Sequence, residues 1–96
     1  MTSKQRAYLK GLASKIQPIF QIGKGGINDN LVQQLDDALE KRELIKVTVL
    51  ENSMLDPRET CETCAQRTGA QPVIAIGSKF VLYRESKKKK VIELPK

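Results

Sequence analysis

The sequence predicts an α/β (α+β) domain in the order α-β-α-β-α-β-β, a four-stranded mixed sheet with helices packed on it. Three observations predict it. Apolar residues recur at helical spacing in three stretches, four shorter runs read as strands, and 96 residues hold one core rather than two. Such a chain buries roughly 60–70% of its unfolded surface. One sheet covered by helices would take up every apolar stripe.

The first helix is expected to run from a Ser3 cap to about Lys15, with Tyr8, Leu12 and Ile16 on one stripe and Leu9 and Ala13 beside it. Arg6 and Lys10, four residues apart, share its other face; Lys4 and Lys15 flank the stripe. A solvated surface is the usual fate of such lysines, and a polyanion contact is the alternative. Gly11, in the helix interior, costs about 1 kcal/mol against alanine, which close approach of another backbone or a ligand would explain.

Residues 18–22, Pro-Ile-Phe-Gln-Ile, read as a short strand leading into Ile22-Gly23-Lys24-Gly25-Gly26-Ile27-Asn28. Asn28 caps the second helix, where Leu31, Val32, Leu35, Ala38 and Leu39 form one apolar face and Gln33, Asp36, Asp37 and Glu40 the polar one. That acidic face should repel phosphate. Residues 44–50 alternate Ile45, Val47 and Val49 on one side and form a central strand. After a loop at 52–55, Asp56-Pro57-Arg58-Glu59 starts a third helix that ends near Thr68, with Gly69 as its C′ residue. Strands at 72–76 and 79–84 enclose Gly77-Ser78, a type II′ hairpin signature. Residues 86–96 make a flexible basic tail containing Lys87 to Lys90, with Val91 to Leu94 able to dock as a last strand.

The glycine-rich turn is the main candidate site. Glycine backbone can approach a bulky anion closely, Lys24 adds charge, and the next helix points its N-terminus at the turn. A nucleotide-hydrolase P-loop needs Ser or Thr after its lysine, and a dinucleotide fingerprint needs glycine where Asn28 stands. What remains is G-x-x-G, Gly23 to Gly26, the loop with which KH-type domains clamp a nucleic-acid backbone. A turn that needs glycine and binds nothing is the alternative.

Charge supports a polyanion partner. The net charge of +6 divides into +4 over residues 1–30, −3 over 31–70 and +5 over 71–96. An anionic membrane fits less well, since no strongly apolar basic helix and no lipidation motif is found. With no apolar span and no signal-like start, the expected location is the cytoplasm.

Catalysis has little support. There is no histidine, and Cys61-Glu62-Thr63-Cys64 lies a turn inside its helix, away from the N-terminal dipole that activates redox thiols. Zinc would lack two ligands. Both cysteines read as small core residues, although a thiol enzyme remains the rival in that class. No cofactor or metal is expected.

Several blocks in order are similar to one family. Leu9-Lys10-Gly11-Leu12-Ala13, Ile22 to Ile27, Glu43 to Val47, Arg67-Thr68-Gly69-Ala70 and Val81 to Arg84 together resemble the YhbY family, small bacterial proteins made of one CRM (chloroplast RNA splicing and ribosome maturation) domain. The resemblance spans about Lys4 to Pro95. It implies a single domain over 1–96, similar to the C-terminal domain of bacterial translation initiation factor three, with a KH-like glycine loop. It also implies a non-enzymatic RNA-binding protein whose target is ribosomal RNA in large-subunit precursors. Gly23, Lys24, Gly25 and Gly26 match the family's loop, the first helix carries Lys4, Arg6 and Lys10, and Arg84 and the tail lysines extend the basic footprint. The expected partner is the pre-large-subunit particle, bound by a monomer with no small-molecule substrate and no membrane contact. The rival is a protein-docking module with an incidental basic surface.

Overall fold

The computed structural model describes residues 1–95. Its elements are α1 (Ser3–Ala13), β1 (Phe20–Ile22), α2 (Asp29–Arg42), β2 (Leu44–Val49), a 3-10 turn (Glu51–Ser53), α3 (Pro57–Thr68), β3 (Gln71–Ile76) and β4 (Lys79–Tyr83). The expected order of helices and strands is the observed one.

The sheet order is β1-β2-β4-β3. β1 pairs in parallel with β2, while β4 lies antiparallel to both β2 and β3, so the sheet is mixed. β2 and β4 are central. Pro72, which cannot donate to a ladder, falls on the edge strand β3, where the register slips between Pro72 and Ile74.

Two apolar clusters fill the faces. On one, Leu31, Leu35 and Leu39 of α2 and Cys61, Cys64 and Ala65 of α3 pack on Ile45, Val47, Val49, Phe80 and Leu82. Full burial of each leucine contributes about 1.5–3 kcal/mol. On the other, Leu9 and Ala13 of α1 cover Leu44, Val73, Val81 and Tyr83, with Ile92 and Leu94 packed alongside.

Local signals explain most boundaries. Asn28 Oδ1 accepts the Leu31 N–H at 2.8 Å, and Asp56 Oδ2 accepts the Glu59 N–H at 3.0 Å, so both predicted caps are formed. Gly69 ends α3 at φ +72°. Gly77 has φ +58°, while Ser78 is absent from the positive-φ residues, as a II′ turn requires.

Some expectations are corrected. Thr2, not Ser3, caps α1, because Gln5 at the third helical position completes a reciprocal pair of bonds with it. Tyr8 is 43% exposed instead of sharing the apolar stripe, since Leu9 and Ala13 take the face that meets the sheet. Apart from its own helix backbone, no atom of the described residues lies within 4 Å of a Cβ placed on Gly11, so no approach of another backbone explains that glycine. Residues 91–94 form no strand.

The segment expected as a flexible tail is tied to α2. Glu43 Oε2 accepts the Ser86 N–H at 2.6 Å, and Glu43 Oε1 accepts the N–H groups of Val91, at 2.7 Å, and Ile92. Glu40 accepts from the Ser86 hydroxyl at 2.6 Å and from the Lys87 and Lys88 backbone. Lys96, the end of that expected tail, lies outside the described residues.

Candidate functional site

The parallel pairing of β1 with β2 fixes where the glycine turn sits. It leaves the carboxyl end of β1 beside the carboxyl end of β2, with Leu50 N–H donating to Ile22 O at 2.9 Å. Gly23 to Gly26 then close a turn in which Gly26 N–H donates to Gly23 O at 2.9 Å. The backbone N–H groups of its central residues, Lys24 and Gly25, have no protein partner among the described residues, and both residues are exposed.

Only one of the three glycines is required by the backbone. Gly26 has φ +64°, a conformation that side chains disfavour. A Cβ at Gly25 would lie 3.4 Å from Asn28 Nδ2, and one at Gly23 would lie 3.5 Å from Asn52 Oδ1, both ordinary contacts. The fold therefore has room for side chains at 23 and 25. Their lack leaves bare backbone on either side of the Lys24 ammonium.

The helix end behind the turn is less open than the sequence suggests. Asn28 already caps the Leu31 N–H, and Asp29 stands in the first turn of α2 with its carboxylate 2.7 Å from Arg67. Bare backbone and Lys24, rather than the macrodipole alone, are what this end offers an anion.

The other predicted cations divide. Lys4 and Lys10 are exposed on α1. Arg6 is half-buried, and its Nη1 donates to the carbonyls of Pro72 at 2.8 Å and Val73 at 3.0 Å, satisfying the irregular stretch of the edge strand. Arg84 is an internal tie: Nη1 donates to Thr68 O at 2.7 Å and to Asp36 Oδ1, and Nη2 to Asp36 O at 2.9 Å. Its side chain is 18% exposed. The placement of Arg84 in a free basic footprint is thus corrected, because α2 brings the carboxylate of Asp36 onto it.

Two cations that the sequence reading left out face the same way as Lys10. Lys46 and Lys79 join Lys10 around a hollow of about 320 Å³ on the α1 side of the sheet. The alternation of Lys46 with Ile45 and Val47 was the available signal, since it turns Lys46 away from the apolar face.

Glu43 was also missed. It occupies the position between α2 and β2 at φ +65° and is fully buried. A helix running into a strand after a single residue, with no glycine there, is the sequence mark of such a strained joint. Burial pushes its carboxyl upward, yet the N–H groups of Ser86, Ile92 and Val91 and the charge of Lys90 outweigh this and leave it below its ordinary range.

The thiols are poorly placed for chemistry. Burial, with Cys64 and Glu62 adding to it, pushes Cys61 up to about 12, and burial pushes Cys64 up to about 11. Among the described residues no group of three or more His, Cys, Asp or Glu could hold a metal ion. No helix among the described residues is long and apolar enough to cross a membrane.

Comparison with known proteins gives the chain's relatives. The chain is 48% identical over 95 residues to a Bacillus subtilis protein named probable RNA-binding protein YqeI, each chain being 99% covered. It is 33% identical to a Haemophilus influenzae protein named RNA-binding protein, covering 100% of this chain and 96% of that one. The solution structure of SAV1595 from Staphylococcus aureus, whose description proposes RNA binding, superposes with a TM-score of 0.78 at 52% identity, with 99% of each chain covered. The CRS1/YhbY (CRM) domain model matches residues 1–84, and the chain belongs to that family.

Proposed function

We propose that this protein binds RNA without catalysing a reaction, holding phosphates with the Gly23–Gly26 backbone and Lys24. The observation that carries the reading is the surplus of glycine. A turn that served the fold alone would need Gly26 and would accept side chains at 23 and 25. Bare N–H groups at Lys24 and Gly25 beside an exposed ammonium make a phosphate cradle of the G-x-x-G kind. Lys4, Lys10 and the unbonded edge of Arg6 extend the positive surface, while Arg84 supports the fold behind it. The names of the relatives support RNA as the polyanion.

The target in this reading is ribosomal RNA in precursors of the large subunit, met in the cytoplasm by a monomer during assembly. Affinity for ribosomal RNA fragments, measured against salt for the intact chain and for Lys24→Glu, Gly25→Asp, tests it. Each lost phosphate contact flattens the log–log slope by about 0.7 to 0.9. The double variant is expected to bind more weakly with a shallower slope. Unchanged affinity and slope would reduce the turn to a connection.

A further inference from the structure

The α1 helix covers only part of its face of the sheet. Beyond it, toward the end that carries the glycine turn, a row of residues is paired across three strands: Gln21 with Thr48, and Thr48 with Lys79. Ile76, paired with Lys79 on the edge strand, is 67% exposed. Between this row and α1 lies the hollow lined by Lys10, Ser14, Lys46, Ile76, Lys79 and Val81.

Its chemistry is one-sided. Three lysines line it and no acidic residue does. None of the three forms an ion pair among the described residues, whereas Arg67, Arg84 and Lys90 are each met by a carboxylate. Lys46 Nζ donates to Ile16 O at 3.3 Å, which leaves two of its three donors. Beside the lysines, the half-buried Ile74 and the exposed Ile76 give an aliphatic floor.

We propose that this hollow is a second subsite for single-stranded RNA, taking a ribose and base on the aliphatic floor with flanking phosphates on Lys10, Lys46 and Lys79. It rests on the reading of the glycine turn as a phosphate clamp. Position favours RNA over an acidic protein segment. Gln21 lies two residues before Gly23, and two strand spacings, roughly 10 Å, separate Gln21 from Lys79. An RNA strand gripped at the turn would have only this width of sheet to cross to reach the hollow.

The test uses oligouridylates of two lengths. One of about four nucleotides fills only the glycine clamp, and one of about ten reaches both sites. Lys79 is exposed and unpaired and lies outside the surface assigned to the clamp, so Lys79→Gln should fold normally. Loss of its phosphate contact lowers the salt slope for the long oligomer by about 0.7 and weakens its binding severalfold, while the short one is unaffected. Equal weakening of both lengths would make the lysines a diffuse field and overturn the second subsite. Unchanged long-oligomer binding would overturn it too, and if Lys24→Glu, Gly25→Asp still loses affinity, the clamp reading survives. If that variant binds both lengths as well as the parent, the clamp reading fails and the subsite built on it fails with it.

Discussion

Replacing Glu43 should release the C-terminal segment. Its carboxylate is buried, holds three backbone N–H groups, and so joins the end of α2 to Ser86, Val91 and Ile92. A hydrogen bond to a charged group is worth about 1.5–3 kcal/mol. Three would exceed that severalfold if the N–H groups stayed buried, but the segment can swing out and hydrate them. The loss is then capped by the docking free energy of 86–95, which adds the half-buried Ile92 and Leu94, and we expect about 3 kcal/mol for Glu43→Ala. Glycine relieves the positive φ by about 1 kcal/mol, so Glu43→Gly should lose only about 2 kcal/mol. Urea unfolding gives the stabilities, and amide exchange at Ser86, Val91 and Ile92 reports the release. The native carboxyl sits below its ordinary 4.5, so its stabilisation is full above that value and is lost as pH falls through the native one. In the parent, exchange at those amides should accelerate in acid beyond its intrinsic pH dependence. An alanine variant within 0.5 kcal/mol of the parent, with unaltered exchange, would refute the tie.

Two further outcomes follow from the site. Arg84→Ala should destabilise the fold by about 1–3 kcal/mol in urea unfolding, since it leaves the Thr68 and Asp36 carbonyls without their donor, yet leave the salt slope of RNA binding unchanged. A reduced slope would return Arg84 to the footprint. Gly26→Ala should cost about 1 kcal/mol for its φ of +64°, whereas Gly25→Ala should be close to neutral in stability and still weaken RNA binding. A Gly25→Ala variant that binds normally would show that bare backbone at 25 has no part in the clamp.

Much of the fold was legible because its signals are local. Asp56 with Pro57, Asn28 ahead of an apolar face, and Gly69 and Gly77 at left-handed positions each specify a boundary through neighbours a few residues away. The turn itself was legible for the same reason, and so was the burial of the cysteine pair. The Thr2 cap was also written locally, in Gln5 three residues on.

The tertiary structure decided which charges are free. Seventeen lysines and arginines look alike in a chain, but packing α2 against the sheet joins Arg84 to Asp36 across 48 residues, and laying α1 over β3 commits Arg6 to the carbonyls of Pro72 and Val73. The same packing buries Glu43 and gathers Lys10, Lys46 and Lys79, far apart in sequence, around one hollow. The sequence by itself determined the elements and the bare turn. Whether a cation stays in water or meets a partner depends on distances that only the assembled layers set, and electrostatic energy varies steeply with those distances.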